Sequence, residues 1–192
     1  MNRKSDEVNN PHTDRYKKES PKKLTLVLEM VDILLKVIDI NSKEQLCLLH
    51  DQSMHQIALK SATIPNSFEV IVTRFMKTAM IKSLRDLQDV CELVLFTYLP
   101  RNFVDELLKF KLPELREIFS FIICNDEIVE VGDFRIKDLS ILLKSRNSAD
   151  IVIVDTLAER IDEEIFSSII VSEYNGTVAY TNQLILLKTT LK

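Results

Sequence analysis

The stretch Phe134–Thr156, FRIKDLSILLKSRNSADIVIVDT, decides the reading of this chain. It divides into a loop carrying Lys137, an amphipathic helix over Lys137–Leu143, and a fully apolar strand, Ile151–Asp155, that ends in an aspartate. In an open parallel sheet, residues at the carboxyl ends of strands face the ligand crevice. Asp155 therefore stands where a functional carboxylate would sit.

Working outward, the same alternation repeats. Phe75–Leu87 has helical spacing and leads into an apolar strand, Leu93–Thr97. A helix follows over Arg101–Phe110, Pro113 opens another, and FSFIIC (Phe119–Cys124) reads as a strand. Beyond Asp155 the pattern predicts a helix over Ala158–Ile165, a strand over Ser168–Val171 and a final helix from about Val178 to Leu191. Strands separated by short helices indicate a parallel sheet with right-handed crossovers.

The 192 residues, 46% hydrophobic and 28% charged, suit one α/β domain over 23–192 behind a polar tail over 1–22. That tail has no apolar periodicity, carries Pro11 and Pro21, and is expected to be disordered. Only two glycines, Gly132 and Gly176, argue against turn-rich all-β folds and glycine-rich phosphate loops. The net charge is −4; residues 1–23 hold seven Lys/Arg against four Asp/Glu, leaving −7 on the rest. An acidic folded part argues against nucleic-acid binding. Cys47, Cys91 and Cys124 sit singly in apolar runs, as buried free thiols of a reducing compartment do, without zinc-ligand spacing. No apolar run reaches the ~20 residues needed to span a bilayer, and the first residues lack the apolar core of a secretory signal. A soluble protein of the cytoplasm or nucleus is the expectation.

Two stretches stay ambiguous. Lys23–Ile40 places Thr25, Glu29, Asp32, Lys36 and Asp39 at helical spacing, yet Leu24–Leu28 also suits a buried central strand with Glu29 at its carboxyl end. Glu44–Lys60 reads as a hairpin turning at Asp51-Gln52-Ser53, and Phe68–Thr73 as a further strand.

CELVLFT (Cys91–Thr97), FRIKDLSIL (Phe134–Leu142), IVIVDT (Ile151–Thr156) and YNG (Tyr174–Gly176) occur in the order found in one known family. Together they resemble the FCP-homology phosphatases of the haloacid dehalogenase superfamily. That group includes small phosphatases of the RNA polymerase II C-terminal domain, the dullard type and the Tim-type presequence receptor of the mitochondrial inner membrane. The resemblance implies a Rossmann-like fold with a short β-hairpin flap. It also implies a phosphate-binding role for Thr97, a phosphate-gripping role for Lys137 and a magnesium-holding role for Asp155. Thr156 stands where the small phosphatases carry Asn.

The family's first motif, Asp-x-Asp-x-Thr, is not kept. If KKLTLVLEMVDILL (Lys22–Leu35) is that strand, Glu29 replaces the nucleophile, Val31 the acid–base and Ile33 the threonine. If LCLLHDQSM (Leu46–Met54) is the strand instead, Leu49, Asp51 and Ser53 take those places. In the first placement, the extra methylene of Glu29 moves the attacking oxygen by about 1 Å or more, which can cost about 10²-fold. Val31 transfers no proton, removing about another 10²–10⁴-fold. The expectation is a catalytically inactive domain that binds protein or peptide segments, with no resident cofactor. The Tim-type receptor has also departed from the two-aspartate motif, which makes a mitochondrial setting an option. The competing expectation is a Mg²⁺-dependent phosphoserine/threonine phosphatase, and a third is a scaffold subunit.

Each candidate also has a plainer reading. Asp155 suits a cap, Lys137 a solvated first-turn lysine, Thr97 a strand-end hydroxyl bonded to backbone, and Glu29 surface charge on a helix. His50, Asp51 and His55 suit an exposed hairpin better than a metal site.

Overall fold

The computed structural model describes residues 16–17, 22, 24–39, 54–59, 68–132, 134–161, 167–173 and 187. Leu24–Leu28 is resolved in favour of the strand. β1 (Thr25–Leu28) is the middle of a five-stranded parallel sheet, between β5 (Glu92–Phe96) and β9 (Ile151–Asp155), with β6 (Phe121–Ile123) and β10 (Ser167–Ile170) at the edges. The helical spacing of Lys23–Ile40 misleads because all four β1 residues are buried, so both faces of the strand meet apolar surface and alternation vanishes. Leu26 and Leu28 join Leu93, Leu95 and Val154 on one face; Val27 joins Val94, Phe96, Ile151 and Ile153 on the other. The rival strand over 46–51 lies outside the described residues.

The first face is covered by α1 (Arg74–Gln88), α2 (Arg101–Phe110) and α3 (Pro113–Ile118) through Met80, Leu84, Phe103, Leu107 and Leu115. The second is covered by Leu139 and Leu142, at the start of and within the single turn α4 (Ser140–Leu143), by Ile161 and by Tyr16. From β1 the chain builds β5 and β6 on one side, then crosses to lay down β9 and β10 on the other. The order therefore reverses at β1, which makes the carboxyl ends of β1, β5 and β9 the crevice.

After β1 the chain turns through Asp32, whose φ of 62° lies in the left-handed region that Asp tolerates better than most residues. It then enters an antiparallel sheet of β2 (Lys36–Asp39), β4 (Phe68–Thr73) and β3 (Met54–Leu59), in the order β2-β4-β3. The flap is thus three-stranded, with Phe68–Thr73 at its centre. The first arm of the hairpin expected over 44–60 lies outside the described residues.

Two other expectations change. Lys137 does not open a helix: it ends β8 (Phe134–Lys137), which pairs antiparallel with β7 (Ile128–Val131) around Gly132 at φ 60°. The helix starts later because Asp138 Oδ1 accepts the Ser140 N–H at 2.9 Å. The helix expected over Ala158–Ile165 is only a 3-10 turn, Ala158–Arg160, in its described part. The final helix is described only at Leu187, which is helical and buried.

A second buried polar cluster fastens the opposite end of the sheet. Arg146 forks onto Glu92, with Nε and Nη2 each 2.8 Å from a carboxylate oxygen, and Thr25 Oγ1 donates to the same carboxylate at 2.8 Å. Arg146 Nη1 also donates to the Tyr16 carbonyl at 2.7 Å. The Tyr16 ring packs edge-on against Phe121, centroids 5.9 Å apart. Tyr16 falls in the segment read as a disordered tail and is 3% exposed; most of that segment lies outside the described residues. Cys91 and Cys124 are buried thiols that form no disulfide, as expected. No described helix is long and apolar enough to cross a membrane.

Candidate functional site

Three of the four expected site residues meet in direct contact. Glu29 follows β1, Asp155 ends β9, and the β7–β8 hairpin carries Lys137 over the sheet to them. The Lys137 ammonium lies 2.7 Å from Glu29 Oε2 and 2.5 Å from Asp155 Oδ2, with all three side chains fully buried. Glu29 Oε1 accepts the N–H groups of Met30 and Val31 at 2.8 and 3.0 Å. Asp155 Oδ1 accepts those of Thr156 and Leu157 at 2.7 and 3.3 Å, and Arg160 Nη1 approaches it at 3.6 Å. Asp155 thus acts as a turn cap through one oxygen and as an ion-pair partner through the other. Two carboxylates, one ammonium and one guanidinium leave the group close to neutral, the condition under which charges stay buried without large loss of stability.

Thr97 follows β5 and is fully buried. Its hydroxyl oxygen accepts the Leu99 N–H at 3.3 Å, the backbone role of a strand-end hydroxyl. Val31 and Ile33 stand where the resemblance places an acid–base and a threonine, and neither can move a proton. The YNG stretch, His50 and Asp51 lie outside the described residues.

Sequence reasoning missed Tyr98 and Arg160. The Tyr98 ring roofs the cluster, its centroid 5.0 Å from the Lys137 ammonium and 4.7 Å from the Arg160 guanidinium carbon. Its hydroxyl donates to the Arg135 carbonyl at 2.8 Å. Burial pushes the Tyr98 phenol well above its ordinary range; the Arg160 charge opposes this, and those of Asp155 and Glu29 add to it. A tyrosine directly after a strand-end threonine was the available signal.

Magnesium sites of this kind need free carboxylate oxygens beside waters and substrate phosphate. Here Asp155 has both oxygens engaged. Glu29 Oε2 meets the ammonium by distance while lacking an aligned hydrogen bond, so its charge is matched although a lone pair stays open. Among the described residues no three His, Cys, Asp or Glu side chains cluster as metal ligands. In this arrangement the donor set does not fit the ion.

The profile of the NLI interacting factor-like phosphatases matches residues 24–192. The chain belongs to that family. Two solved structures share its fold. One is the fission yeast RNA polymerase II CTD phosphatase Fcp1, in a variant bound to beryllium fluoride, with a TM-score of 0.52 at 14% identity over 88% of this chain and 50% of that one. The other is Fcp1 described as an essential RNA polymerase II CTD phosphatase, with a TM-score of 0.53, the same identity and the same coverage. This chain therefore spans half the length of those structures. No curated protein sequence matches it. The family assignment makes the domain an FCP-like member of the haloacid dehalogenase fold, and the parallel sheet flanked by helices agrees with it.

Proposed function

We propose that this family member is a pseudophosphatase: an FCP-homology domain that has lost turnover and acts by binding a segment of a partner protein. The observation that carries the reading is the closed charge pairing of Glu29, Lys137 and Asp155. A nucleophile must present a free oxygen to phosphorus, within near-attack distance. Glu29 Oε1 is taken by two backbone N–H groups, and Oε2, although it keeps a lone pair open, is charge-paired with the ammonium at 2.7 Å. Lys137 serves as an internal counter-ion in place of a phosphate grip. Val31 supplies no general acid to the leaving group. A cytoplasmic or nuclear setting goes with this reading, and a mitochondrial one with its presequence-receptor variant.

A phosphatase reading is favoured by a different observation, the convergence of Glu29, Lys137 and Asp155 on one crevice at the sheet's switch point. The deciding experiment follows hydrolysis of an aryl phosphate with magnesium by the wild-type protein and by Asp155→Asn, both checked for folding by circular dichroism. The expected result is no turnover in either. Turnover in the wild-type protein that Asp155→Asn abolishes would establish a working magnesium phosphatase that depends on Asp155.

A further inference from the structure

Two cations stand at the mouth of the cluster, Arg160 as a distant partner of Asp155 and Arg135 outside the cluster's charge balance. Arg160 stacks on Tyr98 at 4.7 Å, and Arg135 approaches the same ring at 5.7 Å. The ring is held in place by its hydroxyl, which bonds the backbone of the strand that carries Arg135. The side chains of Arg135 and Arg160 are 51% and 30% exposed. A guanidinium stacked on an aromatic face keeps its N–H edge free, and that edge matches a carboxylate fork. Arg160 touches Asp155 Oδ1 only at 3.6 Å, and Arg135 meets Glu130 at 3.9 Å with that glutamate 77% exposed. The Arg135 contact, long and wet, contributes little and yields readily to a better acceptor. The Arg160 contact, made to a buried carboxylate, is too long for a hydrogen bond and leaves guanidinium donors for a second acceptor.

We propose that Arg135 and Arg160, fixed on Tyr98, form a recognition rim for a carboxylate-rich segment of a partner protein. This rests on the binding reading above and gives its partner a chemistry. Two guanidinium groups gathered on one ring make this mouth locally positive although residues after Lys23 sum to −7. That local charge and its fork geometry complement a carboxylate cluster.

Fluorescence anisotropy tests the rim with a labelled glutamate-rich peptide, its glutamine counterpart, a phosphoserine peptide and a lysine-rich peptide. The glutamate peptide is expected to bind with an affinity that falls as salt rises. Arg135→Ala and Arg160→Ala should each weaken it about tenfold, with Arg135→Lys in between, because lysine keeps the charge and loses the fork. Circular dichroism verifies folding, and if Arg160→Ala unfolds, the more exposed Arg135→Ala decides alone. Equal binding of the glutamine peptide, unchanged affinity in folded variants, or tighter binding of the phosphoserine peptide would overturn the rim. Preference for the lysine-rich peptide would also overturn it while leaving a peptide-binding domain. Phosphate released from the phosphoserine peptide would instead overturn the pseudophosphatase reading, leaving the glutamate-peptide affinities to judge the rim.

Discussion

Replacing Lys137 by methionine would leave Glu29 and Asp155 both fully buried, with Arg160 as the cation nearest Asp155. Removing one partner of a buried ion pair costs about 3–5 kcal/mol, because the abandoned charge cannot regain water. Lys137→Met should lower stability by that amount in urea unfolding, and adding Glu29→Gln and Asp155→Asn should return most of it. A loss below about 1 kcal/mol would mean that the cluster is hydrated in solution. Cys91 offers a second check at this scale. Its Sγ donates to the Leu87 carbonyl at 3.2 Å, and burial pushes the thiol from 9.0 up to about 12, with the Lys22 charge opposing and that of Glu92 adding. The folded state therefore holds its proton where the unfolded chain releases it. Stability from this group is complete below pH 9 and is lost as pH climbs towards 12, and Cys91→Ala should flatten that part of the stability profile. Iodoacetamide at pH 8 should leave the native thiol unmodified and label it in urea, as read by mass spectrometry of the peptide.

The β7–β8 hairpin delivers Lys137, and its turn depends on Gly132 at φ 60°. A Cβ there meets no neighbour within 4 Å, so Gly132→Ala tests backbone strain alone. It should cost about 1–2 kcal/mol, measured by thermal unfolding. A neutral result would mean that the turn relaxes to another form. This hairpin also shows what the sequence made legible. VEVGDFRIK alternates apolar and polar residues about a Gly-Asp pair, a usable hairpin signal. Reading FRIK as a loop before a helix over 137–143 put Lys137 on a solvated turn instead of in the interior. The parallel strands were plain, because short apolar runs such as LVLF and IVIV are each followed directly by a polar residue, Thr97 and Asp155. β1 was not, since Thr25, Glu29, Asp32, Lys36 and Asp39 fall at helical spacing across the strand and the turn that follows it. That Glu29 and Asp155 would share one ammonium depends on contacts across the fold, which no local pattern encodes.

For the whole molecule, the clasp made by Tyr16, Arg146, Glu92 and Thr25 ties the stretch ahead of β1 at Tyr16 onto the sheet's amino-terminal end. Deleting 1–20 removes the Tyr16 carbonyl that Arg146 contacts and uncovers part of Phe121. A loss of about 1–3 kcal/mol is expected for the orphaned donor, measured by chemical unfolding. Unchanged stability would show that the clasp is dispensable. Deleting 1–32 removes β1 and should abolish cooperative unfolding, since both β5 and β9 lose their neighbour.

The central place of β1 also governs how this chain must be made. A ribosome delivers Leu26 well before either of its two partners, Leu93 and then Val152. Until Val152 emerges, one edge of this apolar strand stays unpaired, the condition under which nascent chains associate with one another. Completion of the sheet is therefore deferred until β9 has left the ribosome. Slow translation would lengthen the exposure of β1, and a chaperone that shields short apolar strands should raise the yield of folded protein.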